Sequence, residues 1–180
     1  MKAIPKKALF LDRDGIINID HGYVHTIEKF EFNSGIFELI SLFQKAGYLI
    51  FIVTNQSGIG RGYYSLEAFN TLTDWMKEQF ITHNIFIESV FHCPHTPTQD
   101  CYCRKPKVGM IQPLLEKNSL DLEHSWMIGD KVSDIEFAHN AKIGHTIAIA
   151  TQKLENAEYF FSSIEACKCY LEENPDKITL

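Results

Sequence analysis

The chain has 180 residues, 45% hydrophobic and 22% charged, the proportions of an ordinary globular protein with one domain over residues 1–180. Seventeen Lys and Arg against 23 Asp and Glu leave a net charge of -6, which excludes a general attraction to nucleic acid or to an anionic membrane surface. No apolar stretch nears the roughly 18 residues that span a bilayer, and the early run ALFL is too short for a signal peptide, so a cytoplasmic protein is expected. A monomer is the default expectation.

ALFL at 8–11 has the apolar character of a buried strand and runs into Asp12-Arg13-Asp14-Gly15. A polar and aromatic loop follows, Asn18-Ile19-Asp20-His21-Gly22-Tyr23-Val24. Residues 35–46 then read as a helix, with Ser34 as N-cap, Ile36, Leu39, Ile40 and Phe43 on one stripe, and Gly47 as the stop. YLIFIV at 48–53 is the second strand and leads into Thr54-Asn55-Gln56-Ser57-Gly58. Ser65 opens a helix over 66–82 whose stripe is Phe69, Leu72, Trp75, Met76 and Phe80.

IFIESVF at 85–91 is the third strand, and it precedes a loop of Cys93-Pro94-His95, five further residues, Cys101-Tyr102-Cys103 and Arg104-Lys105-Pro106. A helix over 108–118 is bounded or interrupted near Pro113. SWMIG at 125–129 runs into Asp130-Lys131, a helix covers 133–142, and TIAIA at 146–150 is a further strand. The tail reads as a weaker strand around positions 159–161, then a helix from Ser162 or Ser163 to about Glu173, with a frayed end. Strands alternating with helices predict a three-layer, doubly wound α/β domain on a mainly parallel sheet. The connections leave no room for a large cap domain.

In open α/β sheets, ligands bind beyond the carboxyl ends of the strands. Asp12, Asp14, Thr54, Asn55 and Asp130 follow strand ends, and Arg104-Lys105 lies on a loop between the second and third of these groups. Carboxylates, a hydroxyl and cations together suit phosphoryl transfer, which needs a nucleophile, positioning and dispersed positive charge. An all-oxygen set of carboxylates beside a phosphate calls for a hard cation, so Mg²⁺ is the expected cofactor. Asp134, four residues after Asp130, either supports that metal or caps a helix.

Cys93, His95, Cys101 and Cys103 make a Cys₃His set, a tetrahedral zinc composition, although its spacings are tighter than those of common zinc fingers. Zn²⁺ over the loop at about 93–103 would fix the adjoining Arg104 and Lys105; the other reading is a cluster of reduced thiols. Cys167 and Cys169 have no histidine nearby and read as packing or surface residues of the last helix.

DRDG, VTNQSG, RKP and GDKVSD occur in this order, each after the expected element, and resemble the four motifs of the haloacid-dehalogenase-like phosphatases. The resemblance spans residues 8–135. It implies Asp12 as nucleophile, Asp14 as acid and then base, and Thr54 and Lys105 as ligands of the phosphoryl oxygens. It places Mg²⁺ on Asp12, the backbone carbonyl of Asp14, and Asp130. Ile16 departs from the Thr that the family often has after this motif, at a position that is not a reacting group.

DHGYV, QSGIGRG and the CPH…CxCRKP loop resemble, more narrowly, the heptose 1,7-bisphosphate 7-phosphatases, which serve precursors of lipopolysaccharide and surface glycans as ADP- or GDP-heptose. That branch implies a small sugar bisphosphate as substrate, touched by Arg13, Asp20, His21, Gly22, Tyr23, Asn55, Gln56, Ser57, Arg104 and Lys131. Histidinol-phosphate phosphatases share the C-x-H…C-x-C loop and stay open as an alternative. A catalytically silent, zinc-stabilised binding module is the reading from another class, against which the intact Asp12, Asp14, Lys105 and Asp130 argue.

Overall fold

The computed structural model describes residues 5–117 and 120–179. Among them six strands form one sheet: β1 (Lys6–Leu11), β2 (Leu49–Asn55), β3 (Ile87–Cys93), β4 (Leu120–Gly129), β5 (His145–Ile149) and β6 (Tyr159–Phe161). Their order is β3-β2-β1-β4-β5-β6, and every neighbouring pair is parallel. The chain moves outward from β1 in one direction through β2 and β3, then returns to β4 and moves outward in the other. This reversal between β1 and β4 places a crevice beyond the carboxyl ends of the central strands.

Seven α-helices accompany the strands among the described residues: α1 (Ile36–Lys45), α2 (Ser57–Gly60), α3 (Leu66–Thr82), α4 (Gln112–Glu116), α5 (Val132–Ala141), α6 (Ile164–Glu173) and α7 (Asp176–Thr179). Alternation along β1 explains the layers. Leu9 and Leu11 face α1, α3 and α6 through Leu39, Phe43, Met76, Phe80 and Leu171. Ala8 and Phe10 face the opposite way, toward Ile111, Phe137 and Ala138. Cys167 is buried in the first of these cores, as a packing residue, while Cys169 is exposed.

Several boundaries differ from the expectation by a residue or two, as where the third strand is Ile87–Cys93 rather than 85–91, and four differences have a local reason. The helix expected over 108–118 is a 3₁₀ turn, Gly109–Ile111, followed by α4, because Pro113 lacks an amide hydrogen and suits a first turn; position 118 lies outside the described residues. β4 begins five residues early, where Leu120 and Asp121 pair with Lys6 and Lys7 before the register shifts. At that irregularity the Ser125 hydroxyl accepts from the Ala8 amide at 2.8 Å. Gly35, with φ +80°, stands as the N-cap of α1 in place of Ser34. Where a frayed end was expected, residues 176–179 form α7 and Ile178 is buried in the first core; position 180 lies outside the described residues.

Candidate active site

Four segments deliver their side chains to the crevice. β1 ends at Leu11, and the Asp12 amide still donates to the Ile128 carbonyl of β4 at 3.0 Å, so the backbone at Asp12 is held as an extension of the sheet. The chain then turns through Gly15 at φ +94°, a region that disfavours a side chain, and a Cβ there would collide with the Asp130 carboxylate. Gly15 thus brings the loops after β1 and β4 together. The Asn55 side chain clamps the Lys105 backbone from both sides: its Oδ1 accepts from the Lys105 amide at 3.0 Å, and its Nδ2 donates to the Lys105 carbonyl at 3.3 Å.

Lys105, 4% exposed, is the hub of the site's electrostatics. Its ammonium donates to Asp12 Oδ1 at 2.8 Å, to the Val53 carbonyl at 2.7 Å, and contacts Asp134 Oδ1 at 2.7 Å. An ammonium has three donors, so all three are committed. Burial alone would lower the Lys105 pKa, but the Asp12 and Asp134 carboxylates outweigh it and hold the value above that of an ordinary lysine. Burial pushes the Asp12 carboxyl up to about 7, Lys105 opposing the rise and Asp134 and Asp130 adding to it. Burial likewise raises Asp130.

Oxygen atoms of Asp12, Asp130 and Asp134 lie within 4.8 Å of one another, close enough to share a cation. Their hydrogen bonds separate the three. Asp134 is 1% exposed and has both oxygens engaged, Oδ1 with Lys105 and Oδ2 with the amides of Asp130 and Lys131 at 3.1 and 3.0 Å. It supports Lys105 and caps α5. Asp130 Oδ1, in contrast, is buried with no hydrogen-bond partner. A buried acceptor without a donor, beside a second carboxylate, fits a hard divalent cation.

Asp14 is held differently, for its partners among the described residues are donors. Oδ1 accepts from Arg13 Nη2 at 2.9 Å and Asn18 Nδ2 at 3.1 Å; Oδ2 accepts from Arg13 Nη2 and Gln56 Nε2, each at 2.9 Å. Asn18, Asp134 and Tyr64 are the functional neighbours that motif reading left unassigned or undecided. Asn18 opens the loop after the first motif, and Tyr64 sits just beyond GIGRG, so proximity to a motif was the available signal.

Two adjoining clefts open here. One of about 200 Å³ is lined by Asp12, Asp14, Thr54, Arg104, Lys105 and Lys131. The other, about 260 Å³, is lined by Asp20, Gly22, Tyr23, Gln56, Tyr64 and Lys131; Asp14, Asn55 and Ser57 belong to both. Lys131 Nζ lies 3.6 Å from both Asp20 and Asp130, linking the polar loop to the metal-type carboxylate. A larger hollow of about 460 Å³ opens on the far side of Asp130, but its walls carry no Lys or Arg to receive a phosphate.

Two residues expected at the substrate are placed elsewhere. Arg13 is 1% exposed, and its guanidinium is turned inward to Asp14 and to the Val24 carbonyl at 2.7 Å. His21 is exposed and meets Glu31 at 3.2 Å, lining neither cleft. Ile16 is buried in the core, so its departure from the family pattern does not alter the crevice.

Cys93, at the end of β3, and His95, Cys101 and Cys103 place their ligand atoms within 4.8 Å of one another. Cys93 Sγ is 3.7 Å from Cys101 Sγ and 3.0 Å from Cys103 Sγ, and His95 Nδ1 is 3.2 Å from Cys103 Sγ. Three sulfurs and an imidazole nitrogen gathered this closely can hold a metal ion of zinc type. No helix among the described residues is long and apolar enough to cross a membrane.

A HAD-hydrolase-like family model matches residues 102–165, which include Lys105 and Asp130. A D-glycero-alpha-D-manno-heptose-1,7-bisphosphate 7-phosphatase of Campylobacter jejuni is 50% identical over 149 residues, 83% of this chain and 86% of that protein. A D-glycero-beta-D-manno-heptose-1,7-bisphosphate 7-phosphatase of Helicobacter pylori J99 is 45% identical over 150 residues, 83% and 86% of the two chains. The crystal structure of a D,D-heptose 1,7-bisphosphate phosphatase from B. bronchiseptica, complexed with magnesium and phosphate, superposes with a TM-score of 0.80 over 93% of this chain and 99% of that one. Its 24% identity speaks to the fold alone. With such identity to the curated relatives across most of both lengths, the chain belongs to the D-glycero-D-manno-heptose-1,7-bisphosphate 7-phosphatase family of HAD-like phosphatases.

Proposed function

We propose that this protein is a phosphatase that removes the C7 phosphate of D-glycero-D-manno-heptose 1,7-bisphosphate by way of an aspartyl phosphate. The observation that carries the reading is the convergence of Asp12, Asp14, Thr54 and Lys105 on one cleft. An Asp12 oxygen attacks phosphorus, and the C7 alkoxide departs with a proton from Asp14. Asp14 then takes a proton from water, which attacks the same phosphorus and releases inorganic phosphate, regenerating Asp12. Thr54 donates to a phosphoryl oxygen, while Lys105 holds Asp12 in place and offsets its charge. Asp12, the Asp14 carbonyl and Asp130 would hold Mg²⁺, which would supply the positive charge that lets a dianionic phosphate approach carboxylates.

The sugar occupies the adjoining cleft, against Asp20, Gly22, Tyr23 and Ser57, and Arg104 holds the C1 phosphate in a bidentate contact. The relatives' names divide between the alpha and beta anomers, so the decisive measurement compares kcat/KM for both anomers of the bisphosphate and for histidinol phosphate at matched Mg²⁺. One anomer should exceed histidinol phosphate by at least roughly tenfold, and a preference for histidinol phosphate would overturn the substrate assignment.

Zn²⁺ at Cys93, His95, Cys101 and Cys103 pins the segment that ends in Arg104 and Lys105. A reducing, cytoplasmic setting suits such a thiolate site. Cys101→Ser should lower bound zinc, measured by metal analysis, and reduce kcat about tenfold or more while leaving the Mg²⁺ ligands untouched. Purified protein without zinc, together with a silent substitution, would refute this role.

A further inference from the structure

Gln56 is 2% exposed, yet every polar atom of its side chain has a partner. Oε1 accepts from the Tyr64 hydroxyl at 2.6 Å. Nε2 donates to Asp14 Oδ2 at 2.9 Å and to Thr54 Oγ1 at 2.8 Å. An amide can be turned end for end, and here the reversed orientation would press Oε1 against the Asp14 carboxylate. Tyr64 makes the observed orientation the satisfied one, because a phenol supplies the donor that Oε1 needs. Burial pushes that phenol up to about 12, so it keeps its proton across the working pH range.

The pair is itself fixed on both sides. The Tyr64 ring stacks on His25, with centroids 4.8 Å apart, and packs so closely on Gly58 that a Cβ there would meet its ring. The Gln56 backbone N–H donates to the Cys93 carbonyl at 2.8 Å, tying the relay to the end of β3. We propose that Gln56, locked by the Tyr64 hydroxyl, is a positioning residue that orients the proton-transfer group Asp14 and the phosphoryl-binding group Thr54 together. One amide hydrogen fixes the Asp14 carboxylate. The other occupies a lone pair of Thr54 Oγ1, which leaves the threonine hydrogen for a phosphoryl oxygen.

This inference rests on the reading of Asp14 as the proton donor to the leaving group, and the test separates the two. Benzyl phosphate and p-nitrophenyl phosphate are of similar size, but the first releases an alkoxide that needs a proton and the second a phenolate that does not. Neither carries the sugar, so lost heptose contacts do not enter. The readout is the ratio of kcat/KM for benzyl over p-nitrophenyl phosphate, in the Mg²⁺-loaded, zinc-containing protein. Tyr64→Phe and Gln56→Met should each lower that ratio roughly tenfold, less than the 10²-fold that a displacement of about 1 Å can cost.

Asp14→Asn should lower the ratio further. A general disturbance of the fold would reduce both substrates equally. If Asp14→Asn lowers the ratio and both relay variants leave it unchanged, the inference is overturned while the acid role of Asp14 stands. If Asp14→Asn itself leaves the ratio unchanged, the acid role fails and the inference fails with it.

Discussion

Asp12→Asn should abolish turnover of heptose 1,7-bisphosphate, by at least roughly 10⁴-fold in kcat, and leave the unfolding transition in place. The loss is chemical. An amide oxygen is a poor nucleophile toward phosphorus, and the substitution also removes one of the two carboxylates assigned to Mg²⁺. The fold is spared because Asn is isosteric and its amide oxygen can still accept from Lys105, which keeps its contact with Asp134. Relief of the repulsion that Asp134 and Asp130 exert on a buried carboxylate acts in the same direction. The measurements are phosphate release, acid-quench trapping of phosphorylated protein, and thermal unfolding. Substantial phosphate release by the variant would sink the covalent route.

Much of the site was legible because its residues follow apolar strands directly. Asp12, Thr54-Asn55 and Asp130 each follow a run whose hydrophobicity is unmistakable, and the ends of adjacent parallel strands lie side by side. The roles assigned within that site were less legible. The three donors of Lys105 are directed to Asp12, Asp134 and Val53, an arrangement that depends on partners 29, 52 and 93 positions away. Arg13 lies between two catalytic-type aspartates and reads as a substrate ligand, but its guanidinium is turned inward to Asp14 and the Val24 carbonyl.

Misplaced element boundaries have similar causes. Leu120-Asp121-Leu122 alternates as a half-buried strand should, and the following Glu123-His124 obscures the pattern because they sit where the ladder with β1 is broken. Ile178 gives no local signal of burial, since a single apolar residue near a terminus becomes core only when α6 and the sheet are already in place.

Lys105→Met carries the largest expected loss of stability. The substitution keeps much of the side-chain length and removes the charge, leaving Asp12 and Asp134 buried without their shared cation and the Val53 carbonyl without this donor. Breaking a buried ion pair by deleting one partner typically costs about 3–5 kcal/mol. The loss should depend on pH with a definite sign. Asp12 already sits near 7 against an ordinary 3.8, so in metal-free protein the folded state binds its proton more tightly than the unfolded state does. Stability contributed by that proton is present below about 3.8 and is lost as pH rises toward 7. Without Lys105, the charge that opposes this rise is gone, so the window extends upward. Urea unfolding of metal-free Lys105→Met should therefore show a smaller deficit, relative to the unsubstituted chain, at pH 5 than at pH 8. An equal deficit at both pH values would mean that lost packing, rather than stranded carboxylate charge, accounts for the effect.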